Sequence, residues 1–207
     1  MRELRRLPVG AEVLADGVHF RVWAPKRKRV EVILEPDQTA VELDAEPDGY
    51  FSRLVPRARA GSLYRFRLDG QRQLIPDPAS RFQPEGPHGP SQVIDPNTFS
   101  WSDHAWRGIK LRGQVLDEMH IGTFTPEGTW RAAAEQLEEL AALGITVLEI
   151  MPIADFPGRF GWGYDGVDLF APYRLYGTCD DFRNFVDRAH AFSLVRDPRH
   201  RLQPFRS

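Results

Sequence analysis

The chain has 207 residues, of which 42% are hydrophobic and 11% aromatic, and its formal net charge is −2. This composition excludes a disordered chain, which has few aromatic residues, and a strongly basic nucleic-acid-binding protein. A single cysteine, Cys179, excludes an internal disulfide framework, and no apolar run reaches the ~18 residues that a membrane span requires. We therefore expect a soluble cytoplasmic protein with no nucleic-acid or membrane partner, and its oligomeric state stays open.

Residues 1–100 contain short segments that alternate apolar and polar side chains. The clearest are VHFRVW (18–23), RVEVIL (29–34) and LYRFRL (63–68), and turn sequences such as EPDGY and LDG separate the segments. Short alternating strands at this spacing are typical of antiparallel β-sandwiches. The sequence therefore predicts a β-sandwich over residues 1–100.

A proline-rich segment spans residues 75–112. Its first part, IPDPASRFQPEGPHGPSQVIDPNTFSW (75–101), also carries aromatic residues, which are unusual in a loose tether. We interpret the segment as an ordered linker packed on a neighbouring surface, with a flexible linker as the alternative.

The pattern changes at residue 113, from alternation to a strand and helix order. QVLDEMHIGTF (114–124) predicts a strand, and residues 129–143 predict one helix with Thr129 as N-cap and Gly144 as its stop. The apolar segment ITVLEIMPI (145–153) predicts a buried strand, and Thr178 and Asp181 are spaced as the capping box of a further helix. This order indicates a β/α repeat, and a complete (β/α)8 barrel of roughly 250 residues does not fit in what remains of the chain.

The segment between the second strand and the last helix carries the candidate site. It reads PIADFPGRFGWGYDGVDLFAPYRLYGT and interleaves aromatic residues with Asp155, Asp165 and Asp168. Aromatic faces pack on the apolar face of a sugar ring, and carboxylates accept hydrogen bonds from its hydroxyl groups. We expect Tyr164 and Asp165 to contact a ligand. Phe156, Phe170 and Tyr173 are expected to pin the segment to the protein.

The sequence GWGYDGVDLFAPYRLYGT resembles the loop after the second barrel strand in the α-amylase superfamily. MHIGTFTPEGTW, LEIMPIADFPGRFGWGYDG and the proline-rich IPDPASRFQPEGPHGPSQVIDP resemble, more narrowly, the malto-oligosyltrehalose trehalohydrolases, and the resemblance covers about residues 7–194. Glycogen branching and debranching enzymes share FRVWAP and the GYD loop, but less of the linker.

The resemblance implies an N-terminal immunoglobulin-like β-sandwich related to carbohydrate-binding modules. Residues 113–194 would then form the first two β/α units of an incomplete (β/α)8 TIM barrel. The implied enzyme is a retaining glycosidase that cuts the α-1,4 bond next to trehalose in maltooligosyl-trehalose and releases trehalose. A branching or debranching enzyme, or a non-catalytic module that binds α-glucan, is the alternative.

Individual residues take their expected roles from the same resemblance. Tyr164 would stack on the sugar beside the cleaved bond, Asp165 would bind its hydroxyl groups, and Trp162 would shape the same wall. His120, at the end of the first barrel strand, would support the substrate contacts or lie as an ordinary buried histidine. The family carries its nucleophile, acid/base and helper aspartate on strands four, five and seven, so no residue here is assigned as catalytic. No metal or other cofactor is expected, and the chain alone is expected to be inactive.

The chain closes on VRDPRHRLQPFRS (195–207), which interrupts the repeat and offers no further strand. The family's next element would read approximately ILDVVYNHFGP. One set of synonymous codons for residues 196–207, read one base later, spells AILDIVYNHFG. The sequence therefore suggests a single-base insertion near the codon for Val195 and an aberrant segment 195–207, and a natural truncation with an unrelated extension is the alternative.

Overall fold

The structure is a computed structural model that describes residues 5–110, 112–192 and 194–196. The strands are β1 (Gly10–Leu14), β2 (Gly17–Trp23), β3 (Val30–Glu35), β4 (Thr39–Glu42), β5 (Asp44–Ala45), β6 (Tyr50–Val55), β7 (Leu63–Leu68), β8 (Leu74–Ile75), β9 (Ser91–Gln92), β10 (Leu116–Met119), β11 (Val147–Ile150), β12 (Ala154–Asp155), β13 (Asp168–Pro172) and β14 (Val195–Arg196). The helices are α1 (Ile121–Phe124), α2 (Trp130–Glu135), α3 (Leu137–Leu143) and α4 (Cys179–Ala191), with short 3-10 helices at Pro47–Gly49, Pro96–Thr98 and Arg174–Tyr176.

The chain forms two compact units. The first unit contains the residues up to Asp95 together with Asp155–Pro157 and Val167–Ala171, and the second contains the remaining residues from Pro96 onwards. The second unit therefore includes 158–166 but not the two short segments on either side of it. None of the helices in the described part of the chain combines the length and the apolarity needed to cross a membrane.

The first unit is a sandwich of two antiparallel sheets. One sheet has the order β1-β2-β6-β5, and the other has the order β4-β3-β7-β8, with β9 also paired to β7. The alternating residues predicted to face inwards are buried, because every second side chain of a strand points to the same side of its sheet. Among them Val18, Phe20 and Phe66 have exposed fractions of 0–1% and join one apolar core. The predicted β-sandwich is confirmed.

The proline-rich segment divides between the units at Asp95. Its first part packs in the sandwich unit, where the hydroxyl group of Tyr64 donates to Asp77 at 2.6 Å and the Asp77 amide donates to Ser91 at 3.0 Å. In the second unit, the Ser102 hydroxyl group donates to the carboxylate of Asp187 on α4 at 2.7 Å. Side-chain hydrogen bonds therefore hold both parts of the segment in place.

The second unit contains a parallel sheet of order β10-β11-β14. The expectation that no strand follows α4 was wrong, because Val195 and Arg196 pair with Val147 and Leu148 of β11. Only these backbone positions of the segment 195–207 are described, and the rest of that segment, 197–207, lies outside the described residues. A third parallel strand thus begins at the position where the β/α repeat requires one.

The helix predicted over 129–143 is two helices. Its predicted ends are confirmed, since the Thr129 hydroxyl group accepts a hydrogen bond from the Ala132 amide and Gly144 adopts the left-handed conformation with φ of +98°. Gln136 separates α2 from α3 with φ of −91° and ψ of −4°, and its amide donates to the carbonyl group of Ala133, three residues earlier. The capping box of Thr178 and Asp181 at the start of α4 is also confirmed.

Candidate functional site

Residues 158–166 of the second unit, called the aromatic loop below, present a row of exposed rings. The exposed fractions are 88% for Phe160, 73% for Trp162 and 68% for Tyr164, and Asp165 is exposed beside them. Large apolar side chains are costly to leave in water, so three neighbouring exposed rings indicate a surface that binds something.

Glycine residues fasten the backbone of the aromatic loop. The carbonyl group of Gly158 accepts a hydrogen bond from the Tyr173 hydroxyl group at 2.8 Å, and that of Gly161 lies 2.9 Å from His120 Nε2. Gly163 has φ of +83°, and an added Cβ would lie 1.7 Å from the carbonyl oxygen of Pro152. No other residue fits at Gly163, so the loop backbone lies close against the protein while the rings face outwards.

His120 follows β10 directly and connects the aromatic loop to α1. Its Nδ1 lies 3.0 Å from the Thr123 hydroxyl group, and its Nε2 also lies 3.0 Å from the Tyr176 hydroxyl group. Because the Gly161 carbonyl oxygen can only accept, the hydrogen-bond network places the imidazole proton on Nε2. The described contacts of His120 are thus with the loop backbone, with Thr123 of α1 and with Tyr176, and none of them is with an exposed ring of the loop.

Tyr176 is held tightly in this arrangement. It is 4% exposed, and an added Cβ on Gly122 would lie 2.9 Å from its ring and 3.0 Å from that of His120. Burial, followed by the neighbouring Tyr173, raises the pKa of the Tyr176 hydroxyl group to about 12. Tyr176 therefore stays protonated and keeps a hydroxyl group beside His120.

Two of the three aspartates that alternate with the aromatic residues of this segment are buried in the first unit. Asp155 is 0% and Asp168 is 5% exposed, because each lies in a strand of the β12–β13 pair and points inwards. Burial, with repulsion from Asp155 and Asp77, raises the pKa of Asp168 to about 6. Asp155 and Asp168 are therefore shielded from solvent, whereas Asp165, the aspartate expected to contact a ligand, is exposed.

The residues expected to pin the segment divide in the same way. Phe156 and Tyr173 are 2% and 1% exposed, as predicted, whereas Phe170 is 49% exposed. Phe170 differs because β13 buries Asp168 and Ala171 and turns the two residues between them outwards. The pairing of β13 with β12 sets this orientation, and the sequence analysis treated the whole segment as a loop.

Sequence reasoning did not single out Phe160, although it is more exposed than Trp162 or Tyr164. The guanidinium carbon of Arg159 lies 5.7 Å from the centre of its ring. The available signal was its position between Gly158 and Gly161, because a bulky ring between glycines has little to pack against locally. Within the described residues, no group of three or more His, Cys, Asp or Glu side chains could hold a metal ion.

Comparison with known proteins extends this description. Residues 8–97 match the family model for carbohydrate-binding module 48 (isoamylase N-terminal domain). The chain is 42% identical over 186 residues to a malto-oligosyltrehalose trehalohydrolase of Saccharolobus solfataricus, an alignment that covers 90% of this chain and 33% of the relative. It is 44% identical over 188 residues to one of Deinococcus radiodurans, with 91% of this chain and 30% of the relative covered.

A solved structure shares the fold. The crystal structure of a putative alpha amylase from Salmonella typhimurium is 46% identical in sequence, has a TM-score of 0.86, and matches 91% of this chain and 32% of its own. The chain thus spans about a third of the length of the proteins that it matches.

Proposed function

Because the chain belongs to the malto-oligosyltrehalose trehalohydrolase family over the nine tenths of its length that align, we propose that it forms the N-terminal, glucan-facing part of a glycoside hydrolase. The carbohydrate-binding module and the amylase-like structure support the same class of protein. The observation that carries the proposal is the aromatic loop, with three exposed rings and an exposed carboxylate on a fastened backbone.

The proposed substrate is maltooligosyl-trehalose, and the proposed reaction is hydrolysis of the α-1,4 bond next to trehalose. In this assignment Tyr164 stacks on the sugar, Asp165 accepts hydrogen bonds from the hydroxyl groups of the sugar, and Trp162 forms part of the wall of the same binding site. A ring covers the apolar C–H face of a glucose unit, and a carboxylate is a strong acceptor for its hydroxyl groups. His120 supports these contacts from behind, through the carbonyl group of Gly161.

The position of these residues within the second unit supports the barrel assignment. His120 follows β10 and the aromatic loop follows β11, and these two strands are parallel. In (β/α)8 barrels the loops at the carboxyl ends of the strands build the active site. We therefore assign residues 113–194 to the first two β/α units of such a barrel and residues 1–100 to the sandwich.

This chain alone is proposed to bind α-glucan without cleaving it. A retaining glycosidase needs two carboxyl groups about 5 Å apart. The family carries that pair on later barrel strands, and the buried Asp155 and Asp168 belong to the first unit. Trehalose released from maltooligosyl-trehalose by the purified chain would contradict this part of the proposal.

A second candidate function is α-glucan binding by the sandwich itself. Trp23 is 59% exposed, and its indole N–H donates to the carbonyl group of Asp48 at 3.0 Å, which fixes the ring. Tyr50, on β6, lies opposite Trp23 of β2. The guanidinium carbon of Arg21 lies 3.8 Å from the centre of the Tyr50 ring. This fixed aromatic surface favours a binding module on the sandwich.

Calorimetric titration with maltoheptaose distinguishes the two surfaces. We expect Trp162→Ala and Tyr164→Ala each to weaken binding by about five- to thirtyfold, as when a central aromatic contact worth about 1–2 kcal/mol is lost. Trp23→Ala is the matched control and leaves the affinity unchanged. If Trp23→Ala abolishes binding while the loop variants bind normally, the sandwich is the binding surface and the proposed role of the loop is wrong.

A further inference from the structure

We propose that Tyr173 and His120 are positioning residues that hold the aromatic loop in one preformed conformation before any sugar binds. Each donates a hydrogen bond to a backbone carbonyl group of the loop, at Gly158 and at Gly161. The proposal deepens the function proposed above only in its last step, the effect on sugar affinity. Its first step concerns the loop alone.

The two donors are themselves fixed. Tyr173 is 1% exposed and packs edge-to-face on Tyr176, with ring centres 4.8 Å apart. Tyr176 in turn packs edge-to-face on Trp130, the buried first residue of α2, at 6.1 Å. A donor inside a close-packed aromatic cluster has few alternative rotamers, so it holds its acceptor at a defined point.

The His120 ring is oriented from two sides. The Thr123 hydroxyl group on α1 contacts Nδ1, and the Tyr176 hydroxyl group lies beside Nε2. Because these contacts are at different nitrogen atoms of the ring, they fix its plane. The Tyr176 and His120 rings stand 6.0 Å apart at an interplanar angle of 90°. The Nε2–H bond of His120 is therefore already directed at the carbonyl group of Gly161, because the ring has no other orientation available.

The fastened points and the exposed rings alternate along the loop. Gly158, Gly161 and Gly163 meet the protein, whereas Phe160, Trp162 and Tyr164 face outwards. A loop held at three points loses little further conformational entropy when a ligand settles on its rings, and such preorganisation raises affinity. Removing one of these attachments should increase the population of open loop conformations. The affinity for sugar should then fall by about the factor by which the open population grows.

Tryptic cleavage after Arg159 measures the open population directly, since the protease cuts the transiently opened loop. In the full chain, we expect Tyr173→Phe and His120→Ala each to speed this cleavage about two- to tenfold, the effect of losing one hydrogen bond. His120→Gln, whose amide N–H can reach the same carbonyl group, is expected to stay within about twofold of the unmodified chain. Cleavage after Arg183, buried in α4, reports opening of the whole unit and should not change.

Ser102→Ala is the matched control, because it removes a side-chain hydrogen bond to Asp187 in the same unit and leaves the loop contacts in place. Unchanged cleavage after Arg159 in both Tyr173→Phe and His120→Ala would overturn the proposal, as would equally fast cleavage in Ser102→Ala. Titration with maltoheptaose then tests the second step, with the affinity expected to fall as cleavage rises. Faster cleavage in a chain that binds no maltoheptaose would support the positioning role and contradict the proposed function.

Discussion

Asp155, Asp165 and Asp168 belong to one segment of the sequence, 155–168, and have different environments in the structure. Asp165 is exposed in the aromatic loop, whereas the other two are buried in the strand pair on either side of it. The sequence shows which residue types alternate here, and this was enough to place Tyr164 and Asp165 on the outside. It does not show which residues of a long segment pair as strands, because that depends on contacts between distant positions.

The buried carboxyl group of Asp168 predicts a dependence of stability on pH. Its pKa is raised from 3.8 to about 6, so its contribution to the free energy of unfolding is full below pH 3.8 and is lost as the pH rises through about 6. We expect Asp168→Asn to stabilise the sandwich at about pH 7.5 by about 1–2 kcal/mol, allowing for solvent screening, and to have no such advantage at about pH 4.

Urea unfolding at the two pH values checks this prediction, with amide exchange of β7 as the measure of unfolding. Asp165→Asn is the matched control, since it removes an exposed carboxylate from the same segment. An Asp168→Asn variant that is no more stable than the unmodified chain at about pH 7.5 would show that its surroundings do not raise the pKa of Asp168.

At the scale of elements, local rules predict helix ends well and interruptions poorly. Thr129, Gly144 and the Thr178–Asp181 box mark ends that the structure confirms, because a cap acts within one turn. The break at Gln136 was not predicted, since no proline or glycine marks it. The buried residues Ala133 and Leu137 on either side of Gln136 keep the periodicity that made the two helices look like one.

The capping box predicts the effect of a single hydroxyl group on α4. The Thr178 side chain accepts a hydrogen bond from the Asp181 amide, and the Asp181 carboxylate accepts one from the Thr178 amide. Thr178→Ala should lower the free energy of unfolding of the second unit by about 1 kcal/mol. Thr178→Ser, which keeps the hydroxyl group, should cost only a few tenths, and equal losses in the two variants by urea unfolding would contradict the capping account.

At the scale of the molecule, the sequence predicted a sandwich followed by a β/α repeat. Periodicity carries that information, since inward residues recur every second position in strands and about every fourth in helices. It did not predict that Asp155–Pro157 and Val167–Ala171 pack with the first unit although they follow β11 of the second. Nor did it predict β14, because a two-residue strand is too short for any periodic signal.

The central claim is that the aromatic loop, rather than the sandwich, receives α-glucan. Hydrogen exchange of the full chain with and without maltoheptaose tests it most directly, because it reports which backbone amides the sugar covers. The account predicts slower exchange in residues 158–166 and around His120, with β2 and β6 unchanged. Protection confined to the surface of Trp23 and Tyr50, with residues 158–166 exchanging as fast as in the free chain, would contradict it.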